Sequence, residues 1–241
     1  MPLDTSRADA ELEISPALRA FNDEYPYERW PILRFVAAAA KATPAGARVA
    51  DVGAGGAPYR ELFGHVEYLT IDWANSVHGG GGAFDIVAPA HDIPEPDAAF
   101  DVVLLTQVLE HVPNPGDVLR ELHRILRPGG SLYVSVPFAW EMHELPYDFF
   151  RYTKPSLERL LGEAGFDGVE VAPRSDSFST LAQLLLNARW TMGESDDGLQ
   201  RLRAEARATL EAVAAQLAQL APLDTTSLLP LGFTATATKP A

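Results

Sequence analysis

Short apolar runs along this chain alternate with longer stretches in which apolar positions recur every three or four residues. Arg48 to Val52 (RVADV), Val66 to Ile71 (VEYLTI), Phe84 to Ala88, Phe100 to Leu105 (FDVVLL), Ser131 to Val136 (SLYVSV) and Phe166 to Ala172 read as strands. A loop and a last strand occupy Leu228 to Thr238. The near-continuous apolar character of FDVVLL is that of a central strand covered on both faces. Between these runs lie helical stretches. One starts at Pro31 (ILRFVAAAA follows), with Pro31 in its first turn and Pro44 beyond its end. A helix start is read at Pro58-Tyr59-Arg60. Pro115 to Leu126 places Val118, Leu119, Leu122, Ile125 and Leu126 on one face, and Arg127-Pro128-Gly129-Gly130 ends it. Lys154 to Glu163 is N-capped by Thr153 and closed by Gly165, and Ser179 to Met192 and Leu199 to Leu220 follow.

Strands separated by helices predict an α/β fold, a doubly wound and mostly parallel seven-stranded sheet with right-handed crossovers. Residues 1–45 read as an N-terminal segment with a covering helix. Residues 46–241 read as one domain, with a helical insertion around 176–222 before the last strand. The two helices of that insertion are open to three roles: a lid, a homodimer surface or sheet cover. Met1 to Asp9 is polar and expected to fray, and His78 to Ala83 forms a loop of small, flexible residues.

Composition narrows the function classes. The chain has 241 residues, 47% of them apolar and 22% charged, as in ordinary globular proteins. No apolar run reaches the length of a membrane span and no basic-then-apolar leader opens the chain, so a cytoplasmic address and no membrane partner are expected. The absence of cysteine excludes disulfides and thiolate ligation. The net charge of −14 comes without any basic run, which argues against nucleic acid as a partner and for a small-molecule acceptor.

Asp51-Val52-Gly53-Ala54-Gly55-Gly56 follows the first strand and precedes a helix start. Glycines there let the backbone turn tightly and approach a ligand without an intervening Cβ. Asp72 ends the second strand, where a carboxylate can accept both hydrogen bonds of a ribose diol. On these two features alone, NAD and other nucleoside ligands stay open. The segments VADVGAGGAP, LTIDWAN and FDVVLLTQVLEHVPNPGDVLRELHRILRPGGSLYVSVP decide the reading. Together they resemble the class I S-adenosylmethionine-dependent methyltransferases, in particular the type-11-like group, over roughly Val49 to Val136.

The resemblance implies S-adenosylmethionine as cofactor. It places the cofactor against Asp51, Gly53, Ala54, Gly55 and Tyr59, with Asp72 on the ribose and Trp73 on the adenine. Ala57 occupies the third glycine position. Thr106 and Gln107 match residues beside the methionine half. Relatives often carry Asp at the position of Pro89, so adenine recognition here falls to backbone near Ala90 and His91, or to Asp92.

A second dense segment, Trp140 to Thr153, follows the fifth strand and hangs over the edge of the sheet where the reactive methyl points. It resembles a His-Glu-x-Pro-x-Asp-Phe-x-Arg-Tyr signature of methyltransferases in polysaccharide and natural-product pathways, which implies a small polar acceptor that is glycosylated in some cases. His143 is the leading candidate for a general base toward a hydroxyl, with Glu144 or Asp148 orienting it. Tyr147, Asp148, Phe150, Arg151 and Tyr152 are candidate acceptor contacts, Arg151 by bidentate pairing with an anion. The alternative is that His143, Asp148 and Arg151 only brace the loop. His111, beside Glu110, is the rival base, and its alternative role is packing on the Pro113-Asn114-Pro115 turn. No metal is expected, since HELPYD is not a HExxH site. Two competing readings remain: an NAD-linked oxidoreductase or nucleotide-sugar enzyme, and a catalytically silent cofactor-binding partner protein.

Overall fold

The structure is a computed structural model that describes residues 12–73, 84–193 and 198–241. The expected frays and loops at Met1–Asp9 and His78–Ala83 lie outside those residues, as does most of the turn between the last two helices. The strands are β1 (Arg48–Val52), β2 (Glu67–Asp72), β3 (Ile86–Val87), β4 (Phe100–Thr106), β5 (Leu126–Pro137), β6 (Asp167–Pro173) and β7 (Gly232–Thr238). The helices are α1 (Pro16–Glu24), α2 (Pro26–Ala42), α3 (Pro115–Ile125), α4 (Lys154–Glu163), α5 (Ser177–Asn187) and α6 (Gln200–Ala218).

The seven strands form one sheet in the order β3-β2-β1-β4-β5-β7-β6. The pairs from β3 to β5 are parallel, whereas β7 runs antiparallel between β5 and β6. This is the expected doubly wound architecture. Strand order reverses between β1 and β4, which opens a crevice at their C-terminal ends where such sheets bind ligands.

Alternation along β4 decides what each face carries. Val103 and Leu105 enter the core under α3 and α4 with Leu119, Leu122 and Leu157. Val102 and Leu104 enter the opposite core with Leu33, Val36 and Ala39 of α2. A buried ion pair, Arg174 Nη1 to Glu28 Oε1 at 2.7 Å, ties α2 to the end of β6.

Four local expectations are revised. The covering helix begins at Pro26, not Pro31. Pro26 takes the first turn and Pro31 sits inside, held by the burial of Trp30, Ile32, Leu33 and Val36 around it. A preceding helix, α1, is N-capped by Ser15, whose hydroxyl accepts from the Leu18 amide. Between β1 and β2 only a 3₁₀ turn forms, Arg60–Phe63, because residues 53–66 leave little chain for a longer helix. Arg127-Pro128-Gly129-Gly130 does not break the chain: β5 runs through it, with the Gly129 amide donating to Lys239 and the Lys239 amide donating to Gly130. Near the C-terminus, α5 packs on both α2 and α6, and α6 buries only Ala214.

Candidate active site

The C-terminal ends of β1, β2 and β4 open on a cavity of about 440 Å³, within the ~300–1,000 Å³ range of small-molecule sites. Gly53, Gly55, Asp72, Trp73, Ala90 and His91 line one end of it. Gly53 has φ +73°, and a Cβ there would stand 2.2 Å from Val108 Cγ2, so only glycine permits this close approach of the two loops. Ala57, at the third glycine position, also takes a left-handed φ of 48°. The Asp72 carboxylate is held in place by two amides, Gly55 N–H at 2.8 Å and Trp73 N–H at 2.7 Å. A carboxylate can accept roughly four hydrogen bonds, so this anchoring is compatible with receiving a diol.

Asp51 is buried beneath the glycine turn, where it accepts a short hydrogen bond from Tyr68 Oη. Burial pushes its pKa up to about 6, reinforced by Asp72 and opposed by the Tyr68 bond. A folded-state pKa above the unfolded value means this group favours folding below about pH 4, and that contribution is lost as pH rises through about 6. Asp51→Asn, which keeps an acceptor for Tyr68, is therefore expected to match the native chain at pH 4. At pH 8 it should exceed the native stability by about 3 kcal/mol. Denaturant unfolding at the two pH values checks this.

The rest of the cavity wall is built by the turn after β4 and the loop after β5, whose Tyr147 ring meets that of Trp73 edge to face. Gln107, at φ 57°, donates its amide to Ser135 O and its side chain to Ser135 Oγ. A 3₁₀ turn, Leu109–His111, then places Glu110 inward and His111 on the cavity wall. The amide of Phe149 donates to Glu110 O, and Tyr152 Oη donates to Leu109 O at 2.8 Å, so the 138–152 loop is tied over this turn.

His111 Nδ1 lies 2.8 Å from the Tyr147 carbonyl. A carbonyl only accepts, so Nδ1 carries the proton and Nε2 the lone pair in the neutral ring. Burial lowers the His111 pKa, opposed by the Tyr147 bond and by Glu144, which favours that neutral form. Nε2 lies 3.8 Å from Glu110 Oε1 and 3.7 Å from Glu144 Oε1. The rings of His111 and His143 meet edge to face, with centroids 4.7 Å apart.

The residues expected to serve the site separate into two groups. Gly53, Gly55, Asp72, Trp73, Ala90, His91, Gln107, His111, Glu144 and Tyr147 line the cavity. Asp51, Ala54, Tyr59, Thr106, His143, Asp148, Phe150, Arg151 and Tyr152 are not among its lining residues, nor is Asp92, whereas Pro89, Ala90 and His91 are. Tyr59 is buried against Phe21. Arg151 grips Asp148 with two hydrogen bonds, 2.6 and 2.8 Å, and donates to the carbonyls of Trp140, Glu141 and Phe150. Asp148 in turn accepts the His143 amide and is held down to about pKa 2, chiefly by Arg151. That network is the loop-bracing arrangement. Phe149 and Val108 line the cavity without having stood out in the sequence, where nothing distinguishes Phe149 from Phe150.

The glycine cradle, the strand-end carboxylate and a cavity at the strand-order reversal suit a nucleoside cofactor. The sequence profile of the methyltransferase-domain family matches residues 24–171. The chain belongs to the class I S-adenosylmethionine-dependent methyltransferases. This methyltransferase is 33% identical over 168 residues to the ubiquinone biosynthesis O-methyltransferase of Maricaulis maris, covering 56% of this chain and 66% of that one. It is 36% identical over 78 residues to the demethylmenaquinone methyltransferase of Geobacillus stearothermophilus, covering 31% and 33%. It thus spans about one to two thirds of the length of these relatives. Its fold is similar to that of an S-adenosylmethionine-dependent methyltransferase from Archaeoglobus fulgidus, with TM-score 0.57 at 15% identity over 92% of this chain and 99% of that one. It is also similar to the [4+2]-cyclase SpnF, with TM-score 0.57 at 21% identity over 89% and 83%. A cyclase on this fold shows that the reaction must be argued from the site. Among the described residues no helix is long and apolar enough to cross a membrane.

Proposed function

We propose that this methyltransferase transfers the methyl group of S-adenosylmethionine to a hydroxyl of a small polar metabolite. The observation that carries this reading is that a single cavity is lined both by Gly53, Asp72 and Trp73 and by His111, Glu144 and Tyr147. When bound, S-adenosylmethionine supplies an electrophilic methyl on a sulfonium. Asp72 receives the ribose diol, the Gly53 turn admits the cofactor chain, and Trp73, stacked edge-on against Tyr147 at 5.2 Å, walls the adenine. With an acceptor hydroxyl beside it, His111 would offer its Nε2 lone pair to the proton the hydroxyl gives up, its Nδ1–H being held by the Tyr147 carbonyl. Much of the rate then comes from holding the acceptor in line and excluding water, for which the loop tied over the turn is suited.

His111, not His143, is the imidazole on the cavity wall, which supports His111 as the group nearest the acceptor's proton. The names of the Maricaulis and Xanthomonas axonopodis relatives, both ubiquinone biosynthesis O-methyltransferases, support an oxygen acceptor over an amine. The signature in residues 140–153 supports a glycosylated or natural-product acceptor.

Incubation with isotopically labelled S-adenosylmethionine and a metabolite extract, read by mass spectrometry, tests the reaction. A labelled methyl ether is expected; its absence from every extract in which the cofactor binds would overturn the reading. Titration calorimetry should show binding of S-adenosylhomocysteine but not of NAD. In the same assay Asp72→Ala is expected to weaken cofactor binding by about 1–3 kcal/mol, since the diol is left without its acceptor.

A further inference from the structure

Behind His111 lies a buried carboxyl, with the His111 imidazole 3.8 Å away. Glu110 is fully buried, and among the described residues neither of its carboxylate oxygens accepts a hydrogen bond. A buried carboxyl ordinarily is protonated, paired, hydrogen-bonded or coordinated to a cation, because an isolated carboxylate costs several kcal/mol. Beside it, His111 Nε2 is also buried and without a hydrogen-bond partner among the described residues. Its lone pair is aimed by the Nδ1–H bond to the Tyr147 carbonyl. An outer hydrogen bond of this kind is what orients metal-ligating histidines.

His143 completes the set. One ligand atom from each of Glu110, His111 and His143 lies within 4.8 Å of the others, close enough to converge on one ion at ~2.0–2.2 Å after small side-chain rotations. The sequence places His143 more than thirty residues from Glu110 and His111, and the loop after β5 brings it to them by laying it on the turn that carries both.

We propose that Glu110, His111 and His143 form a divalent-cation site at the acceptor end of the cavity. This deepens the reading above and rests on the acceptor hydroxyl lying at His111. Two imidazoles and one carboxylate suit a borderline ion of the zinc, cobalt or manganese kind more than calcium or magnesium, which prefer all-oxygen shells. Three protein ligands leave a position for one more oxygen, as in catalytic sites, and His111 borders the cavity from which that oxygen would come. A cation there favours the ionised form of a hydroxyl beside it. In this arrangement His111 holds the ion, and the ion promotes loss of the acceptor's proton.

The test uses the full chain, stripped with a chelator and then titrated with Co²⁺ while visible absorption is followed, and with Zn²⁺ in equilibrium dialysis. One equivalent of ion is expected, with cobalt bands in the visible. Glu110→Gln and His143→Ala should each weaken uptake by about 10-fold or more. S-adenosylhomocysteine binding, measured by calorimetry on the same samples, should persist and so certify that each variant is folded. Should Glu110→Gln fail to fold, the half-exposed His143→Ala carries the test. No stoichiometric uptake by the native chain, or uptake unchanged in the folded variants, overturns the cation site and leaves the methyltransferase reading intact. Loss of cofactor binding in the native chain would instead overturn that reading.

Discussion

His111→Ala is expected to lower turnover by about 10²–10⁴-fold while the dissociation constant for S-adenosylhomocysteine changes little. In the proposed reading His111 serves the acceptor, whereas the cofactor lies on Gly53, Gly55, Asp72, Trp73, Ala90 and His91, all of them lining the same cavity. Removing the imidazole takes away Nε2, which lies 3.8 Å from Glu110 and 3.7 Å from Glu144, so in the proposed reading proton loss from the acceptor is no longer assisted. It also removes the Nδ1 bond to Tyr147, one of the ties between the turn and its covering loop. A role confined to bracing would therefore lower the melting temperature and weaken cofactor and acceptor binding together. Melting temperature, cofactor affinity and turnover on one His111→Ala sample separate the two. Full turnover would eliminate His111 from the chemistry and favour an amine acceptor, which needs no base.

Gly53→Val is expected to abolish cofactor binding at concentrations that saturate the native chain. The substitution faces two independent penalties. A left-handed backbone at φ +73° costs an L-residue roughly 1–2 kcal/mol, and more for a β-branched side chain. The new Cβ would stand 2.2 Å from Val108 Cγ2, so the turn after β4 must retreat, and overpacking of this kind costs typically 1–3 kcal/mol. Together they amount to about 3 kcal/mol or more, about 100-fold in affinity if all of it falls on the bound state. Pairing Gly53→Ala with Val108→Ala divides the terms: the double variant removes the steric contact and leaves the backbone strain. Calorimetric affinity that recovers in the double variant assigns the loss to Val108. Native-like binding by Gly53→Val would show that the turn tolerates a side chain and that the cradle is not the cofactor's.

Most of the cavity wall proposed for the cofactor was legible because it is local. A glycine turn directly after a strand, and an acid at the end of the next strand, are set by short-range geometry, and both arrive at the sheet's crevice through the strand order alone. The acceptor end was less legible. His143 stood out in a segment crowded with ionisable groups, yet its neighbours Asp148 and Arg151 close on one another and on backbone carbonyls, and the cavity wall is made by His111 and Phe149. Arg151 in particular looked suited to an anionic acceptor. Its guanidinium instead meets a carboxylate three residues away and three carbonyls of its own loop, contacts fixed by how residues 140–151 turn back on themselves.

Periodicity and turn residues by themselves determined the strands, the two-sided burial of β4, the α4 helix with its Thr153 cap and the position of the glycine turn, because each depends on neighbours within a few residues. They missed the start of α2, where burial of Trp30, Ile32 and Leu33 outweighs the disruption from Pro31. They also missed the continuation of β5 through Gly129 and Gly130, which depends on pairing with the distant end of β7. Only the tertiary structure decided that Glu110 is buried without a hydrogen-bond partner among the described residues and that His111 and His143 face each other beside it. The environment of a carboxylate is fixed by what covers it, and here the cover is a loop from the far side of β5.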